Sequence, residues 1–257
     1  MSNTTLKILC ILGCFLTSYF LGTFQPSYLL GMKIYHKDLR KEGSGNSGAT
    51  NAIRVFGLKF GMFCLAIDAA KGALGVLFTR SILTADIIGS PDLSILFQLL
   101  SGVFVLIGHN HPFYMQFQGG KGVAASLGIM LVIDWRVFLL AAVPALIVLL
   151  SSRIMSISSL TFEFVCFIAF VIFYFQSEEF YWIVLSAAMY PILSFVRHRN
   201  NLARLVNGKE PKLWGAKPDA AVREKKNSWG TIVDTSIPEE TEPEEEKSKM
   251  LWHLPKK

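Results

Sequence analysis

Apolar residues arrive along the chain in seven blocks, near residues 8–24, 55–79, 93–108, 121–133, 137–151, 158–175 and 180–196, with short polar stretches between them. A helix needs about 20 residues, within a range of about 17–25, to cross the hydrocarbon core of a bilayer. No water reaches that depth to satisfy bare backbone, so each block is expected to close its own hydrogen bonds as an α-helix. The fourth and fifth blocks are short for a crossing and are read as thinned spans or a re-entrant pair. The first block follows Lys7, but no small-x-small cleavage site succeeds it, so it is read as a retained span. The pattern predicts an all-α, polytopic integral membrane protein with about seven transmembrane helices over residues 1–210. Residues 211–257 mix Pro, Lys and Glu, are too polar to bury a core, and are read as a flexible cytoplasmic tail.

Composition agrees. Of the 257 residues, 52% are hydrophobic and 17% charged, against about 25% charged in ordinary soluble domains. That excludes a cytosolic enzyme, a disordered chain and a secreted disulfide scaffold. Cys10, Cys14, Cys64 and Cys166 lie in apolar blocks with no CxxC pair or Cys/His cluster, so no metal or other cofactor is expected. The last 47 residues hold nine basic and nine acidic side chains, which assigns the formal net charge of +6 to residues 1–210. Alternate connections carry Lys33, Lys37, Arg40, Lys41, Arg54, Lys121, Arg153, Arg197, Arg199 and Arg204, while the opposite ones carry only Arg80 and Arg136. The positive-inside bias then places the amino terminus outside and the carboxy terminus in the cytoplasm.

The polar residues of the body gather in four segments, all on the face this topology makes cytoplasmic. The first, GSGNSGATN, offers Gly43, Ser44, Gly45, Asn46, Gly48, Thr50 and Asn51. Glycines with small polar side chains let backbone N–H groups converge into an anion-binding concavity. Asn51 or Thr50 is expected to cap the second span, which puts Arg54 in its first turn. The helix dipole makes a cation unfavourable there, and a bound anion would resolve the conflict. The second segment, GHNHPFYMQFQGGKGVAAS, repeats the pattern with Gly119, Gly120 and Lys121 before an apolar helix. Gly122 stands where a P-loop needs Ser or Thr, which excludes an ATPase reading. His109 and His111 are lesser candidates, since a loop histidine more often caps or packs. The third segment, SSRIMSISS, supplies Arg153 and Ser156. The fourth, RHRNNLARLVNGKEP, sets His198 and Asn201 three apart on one helical face, with the imidazole suited to proton handling. Arg199 is read there as an interfacial anchor, a reading also open to Arg197 and Arg204. Within the second block Asp68 and Lys71, also three apart, form either a functional pair or a self-neutralising structural one; Glu163 has no sequence-local partner.

Together these imply an anion site for two phosphates at the membrane surface. No GxSxG elbow is present, no His is followed four residues later by Asp, and no repeated Asp cluster occurs. GSGNSGATN, GHNHPFYMQFQGGKGVA and RHRNNLARLVNGKEP resemble the three cytoplasmic motifs of the bacterial acyl-phosphate:glycerol-3-phosphate acyltransferases, the PlsY family. Asp68-Ala-Ala-Lys71-Gly72 and Arg153-Ile-Met-Ser156 resemble family segments too. The likeness runs through most of residues 6–211, with Ser47 and Ala125 as departures, and does not reach the acidic tail. It implies a multi-pass enzyme of the bacterial inner membrane that transfers an acyl chain from acyl phosphate to the 1-hydroxyl of glycerol 3-phosphate. Its partners would be those two substrates and membrane lipids, with no nucleic acid. Arg54, Lys121, Ser44, His198 and Asn201 would hold glycerol 3-phosphate, and Arg153, Ser156 and the Gly43–Gly48 backbone the acyl phosphate. Either His198 or a substrate phosphate would serve as base. A phosphate-ester transporter is the alternative; it calls for polar residues continuing across the membrane, whereas here they stop at one face, save Asp68, Lys71 and Glu163.

Overall fold

A computed structural model describes residues 3–214, together with two short pairs further on. Residues 1–215 form one compact unit of eleven α-helices. In chain order these are α1 (Asn3–Thr23), α2 (Pro26–Tyr35), α3 (Ala49–Phe56), α4 (Leu58–Ile82), α5 (Ala85–Ile88) and α6 (Pro91–Asn110). After the loop that follows come α7 (Val123–Ile133), α8 (Trp135–Ser152), α9 (Met155–Phe173), α10 (Phe180–Arg197) and α11 (Arg199–Val206). Further on, β1 (Lys225–Lys226) pairs antiparallel with β2 (Ile232–Val233). The rest of the expected tail lies outside the described residues.

Among the described residues six segments are long and apolar enough to cross a membrane: Thr4–Tyr35, Leu58–Ile82, Pro91–Met115, Trp135–Ser152, Met155–Phe173 and Phe180–Arg197. The fourth apolar block is the exception. It becomes α7, whose 11 residues extend only about 16 Å at 1.5 Å per residue, against about 27 Å for the 18 of α10. At its far end Asp134 accepts a hydrogen bond from the Tyr174 hydroxyl at the end of α9 (3.1 Å). At its near end the turn ahead of α7 is bonded to the last residues of α6, Gly119 N–H to the Asn110 carbonyl and Gly120 N–H to the His109 carbonyl (both 3.1 Å). The second apolar block also differs from expectation. It is broken at Gly57, whose φ of +92° is left-handed backbone that suits glycine. Ahead of the break, α3 folds back so that Ile53 lies against the bare Cα of Gly61 on α4.

Lipid tails are as apolar as leucine, so helix association must come from close packing and polar contacts. Glycine supplies the first. A methyl on Gly128 of α7 would overlap the Ala69 carbonyl of α4, and one on Gly72 would overlap the Ala125 carbonyl. Gly22 of α1 and Gly108 of α6 meet backbone of the opposite helix in the same way. The second comes from Ser18, Thr79 and Ser101, whose hydroxyls join α1, α4 and α6 at 2.8 and 2.9 Å. Leu12, Leu77, Ile147, Phe164 and Leu185 project outward from the long helices, as a lipid-facing surface requires.

Candidate active site

Three of the polar segments, together with Arg54 from α3, meet around Glu210, and each chemical group is delivered there by its own local device. Lys121 comes from the turn just ahead of α7. Gly122, with φ of +88°, caps that helix, and Arg197 holds the preceding turn by donating to the carbonyls of Gly119 (2.8 Å) and Gly120 (3.0 Å). His198 and Asn201 come from the junction of α10 and α11. Past α11 the chain reverses through Gly208, φ +66°, while the Lys209 N–H bonds the Arg204 carbonyl at 2.8 Å. This left-handed helix stop returns Glu210 against the face of α11. Arg54 reaches over from α3.

Glu210 is the organising anion. Its Oε1 accepts from Asn201 Nδ2 (2.6 Å) and from the Ser156 hydroxyl (2.8 Å), and its Oε2 accepts from Arg204 Nε (2.9 Å). With the Asn201 amide committed on that side, its Oδ1 faces the other way and accepts from Lys121 Nζ. Arg54 donates to the Pro211 carbonyl (3.4 Å), and the Leu213 N–H to the Arg153 carbonyl (2.7 Å). Residues 210–213 are thereby laid across the site. Burial would raise the Glu210 carboxyl, but its three hydrogen-bond donors outweigh that and leave it below its ordinary value.

Positive charge is in excess. Lys121 sees one carboxylate, Glu210, against the cations Arg204, Arg54 and Arg197. Desolvation first, and then this crowding, lowers the Lys121 ammonium to about 7, so that close to half its charge is lost at neutral pH. Desolvation likewise lowers Arg54, which Glu210 partly offsets; a guanidinium keeps its proton regardless. His198 is buried, with Nδ1 2.8 Å from the Ser194 carbonyl and 3.3 Å from its hydroxyl. A carbonyl accepts only from N–H, so the proton sits on Nδ1 and Nε2 presents a lone pair. Desolvation, followed by repulsion from Lys121, takes this imidazole to about 4 and keeps it neutral.

Of the residues singled out from sequence, Lys121, His198, Asn201, Arg54 and Ser156 are drawn together around Glu210. Gly119 and Gly120 form the turn that carries Lys121. The first glycine segment is a loop of its own, and three expectations about it change. Gly48, rather than Asn51 or Thr50, caps α3. Arg54 consequently lies in the last turn of that short helix, where the dipole favours a cation. Asn51 ties the loop together instead: Nδ2 donates to the carbonyls of Leu39, Glu42 and Asn46, and Oδ1 accepts from the Ser44 N–H (2.9 Å). With Gly45 bonded to Glu42 and Gly48 to the Asn46 side chain, the loop amides that donate to no described residue are narrowed to Gly43, Asn46 and Ser47. Thr50 is half-buried beside them and the Ser44 side chain is exposed. Arg153 occupies the left-handed cap of α8 with an exposed side chain, and meets the site through its carbonyl. Among the described residues no group of three or more His, Cys, Asp and Glu could hold a metal ion.

Glu210 itself, Arg204 as its partner and Arg197 as the clamp of the lysine turn were not anticipated. A signal for Glu210 was present: the Asn207-Gly208 helix stop followed by Pro211 marks a chain reversal that must return residue 210 toward the helix it leaves.

Long lipid-facing helices with a cluster of cationic side chains around Glu210 define an integral membrane protein whose polar groups gather at Lys121, Asn201 and Glu210. A family model described as glycerol-3-phosphate acyltransferase matches residues 12–208, and the chain belongs to that family. The glycerol-3-phosphate acyltransferase of Shouchella clausii is 36% identical over 210 residues, which cover 80% of this chain and 97% of that one. That of Staphylococcus aureus (strain Newman) is 34% identical over 205 residues, covering 79% and 98%. The chain also superimposes on the crystal structure of PlsY (YgiH), an integral membrane glycerol 3-phosphate acyltransferase, in its glycerol 3-phosphate form. There the TM-score is 0.69 at 29% identity, over 80% of this chain and 96% of that one. A lysophosphatidic acid form of the same protein aligns with a TM-score of 0.65 at 27% identity, over 79% and 94%.

Proposed function

We propose that the protein transfers a fatty acyl group from acyl phosphate to the 1-hydroxyl of glycerol 3-phosphate, producing lysophosphatidic acid and inorganic phosphate, with its site facing the cytoplasm from a bacterial inner membrane. The observation that carries this reading is the gathering of Lys121, Arg54, Arg197 and Arg204 around the Glu210 carboxylate, in a chain of this family. Each phosphate brings about −1.5 to −2 near neutral pH, and two of them repel unless cations stand between.

In this reading Lys121, Arg54, Asn201 and His198, with Ser44 from the neighbouring loop, hold glycerol 3-phosphate. Ser156, Arg153 and the undonated amides of the Gly43–Gly48 loop hold the donor phosphate. The hydroxyl oxygen attacks the acyl carbonyl carbon, and the bond from that carbon to the phosphate oxygen breaks. The hydroxyl proton passes to His198 Nε2 or to a substrate phosphate, whose second pKa near 6 suits the task. Because phosphate is already a good leaving group, no covalent intermediate on the protein is needed. Fixing two reactants in register contributes several kcal/mol, and preset donors around the developing oxyanion add to it. A substrate dianion beside His198 also raises its basicity when a proton must be taken up.

The test uses purified protein and radiolabelled glycerol 3-phosphate, offered acyl phosphate, acyl-CoA and acyl-carrier protein in turn. Labelled lysophosphatidic acid from acyl phosphate alone is the expected result. Product from only a thioester donor would overturn the donor assignment while leaving the acceptor intact.

A further inference from the structure

Away from the pocket, Asp68 and Lys71 of α4 and His109 of α6 form a second cluster, with side chains 2%, 5% and 3% exposed, inside membrane-crossing segments. The proposed reaction does not use them, and buried charges in a span are costly enough to call for a role. The geometry shows what they hold. Lys71 Nζ donates to the Phe24 carbonyl, lies 2.8 Å from His109 Nδ1, and forms an ion pair with Asp68 Oδ1 (2.8 Å). An ammonium donating to Nδ1 makes that nitrogen the acceptor, so His109 is neutral with its proton on Nε2. The ring is thus fixed from behind, with Asp68 Oδ1 3.6 Å from Nδ1.

Its other edge lies against the lysine turn. Nε2 occupies the space where a Cβ on Gly120 would sit. The His109 carbonyl accepts from the Gly120 N–H (3.1 Å) and from Gln25 Nε2 (2.7 Å), and the Asn110 carbonyl accepts from the Gly119 N–H (3.1 Å). Arg197 grips the same two glycines from the opposite side through their carbonyls. The turn that presents Lys121 is therefore clamped between a guanidinium and an imidazole, and the imidazole is set by the intramembrane ion pair.

We propose that Asp68, Lys71 and His109 are positioning residues that fix the Gly119–Gly120 turn and so place Lys121 for the substrate phosphate. The proposal rests on the reading of Lys121 as a phosphate-binding residue, and the experiment separates the two. The paired variant Asp68→Asn with Lys71→Gln removes both charges together and leaves no orphan ion. His109→Asn keeps an acceptor for Lys71 but withdraws the ring from Gly120. In full-length protein in detergent, both variants are expected to speed hydrogen exchange at the Gly119 and Gly120 amides, a readout that involves no ligand. Both are expected to weaken radiolabelled glycerol 3-phosphate binding, measured without any acyl donor, by about tenfold or more. The KM for the donor should stay unchanged. Gly120→Ala, which pushes on the ring from the turn side, should weaken binding too, and its combination with the paired variant should lose less than the product of the two. Unchanged amide exchange in both variants overturns the proposal whatever the ligand does. Faster exchange with wild-type affinity, or strictly multiplicative losses, overturns the link to Lys121. Wild-type protein that binds no glycerol 3-phosphate would instead remove the functional reading, and the exchange data would still decide the clamp.

Discussion

With Lys121 holding the substrate phosphate as proposed, its ammonium, lowered to about 7 by desolvation and by Arg204, Arg54 and Arg197, should tie substrate affinity to proton uptake. A phosphate dianion within contact favours the charged form and returns the group toward its ordinary range. Binding then takes up whatever proton the free protein lacks: about half a proton at pH 7 and about nine-tenths at pH 8. The sign follows. The bound state holds more protons than the free state, so affinity falls as pH rises, at about 1.4 kcal/mol per unit once pH exceeds 7. The Kd for glycerol 3-phosphate should rise about fivefold from pH 7 to 8 and about tenfold more from pH 8 to 9. The substrate's own second ionisation, near 6, is complete over that range and does not mask the trend. Titration calorimetry at constant ionic strength, in buffers of different ionisation enthalpy, counts the protons directly. Lys121→Arg keeps a cation with no titration in range, so whatever affinity it retains should be flat from pH 7 to 9. A wild-type Kd independent of pH over that window, with no proton taken up, would refute the argument.

Three further outcomes are expected. Glu210→Gln keeps the shape of the hub but discharges it, freeing Arg204 and removing the group that supports Lys121 protonation; kcat/KM should fall about 100-fold, and Glu210→Asp should recover part of it in the same steady-state assay. For His198 the ordinary pKa is near 6.5 and the folded value about 4, so between these the unfolded chain binds more protons and stability declines as pH is lowered. The contribution reaches about 3 kcal/mol, and melting curves in detergent for wild type and His198→Asn should diverge below pH 6.5 and run parallel above it. Gly128→Leu would force a side chain into the Ala69 carbonyl; overpacking of this kind costs about 1–3 kcal/mol or more, and a melting temperature equal to wild type would show that α4 and α7 can separate without penalty.

The long helices were legible because lipid leaves no choice: a block of 16 or more apolar residues with no water to bond must be a helix, and the first, third, sixth and seventh blocks became α1, α6, α9 and α10. The break at Gly57 was not, since a glycine inside an apolar run reads the same whether it packs closely or turns the chain. Asn51 misled in a similar way. Its amide can cap a helix or gather loop carbonyls, and only the fold of residues 39–46 around it decides between them. The convergence of Lys121, Asn201 and His198 was foreseeable from charge and spacing, whereas Glu210 was hidden because its meaning depends on contacts with Ser156, 54 residues away. The partner of Lys71 was half visible: Asp68 lies one helical turn away, while His109 is brought in only by the packing of α6 on α4.

The glycine contacts have a mechanical consequence. Arg54 rides on α3, which is seated on α4 through Ile53 and Gly61, and Lys121 precedes α7, which is seated on the same α4 through Gly72 and Gly128. When the bilayer thins or thickens, tilting that helix carries both cations along as cargo on one beam. The spacing between the two charges is therefore expected to change less than the tilt of the helix that carries them.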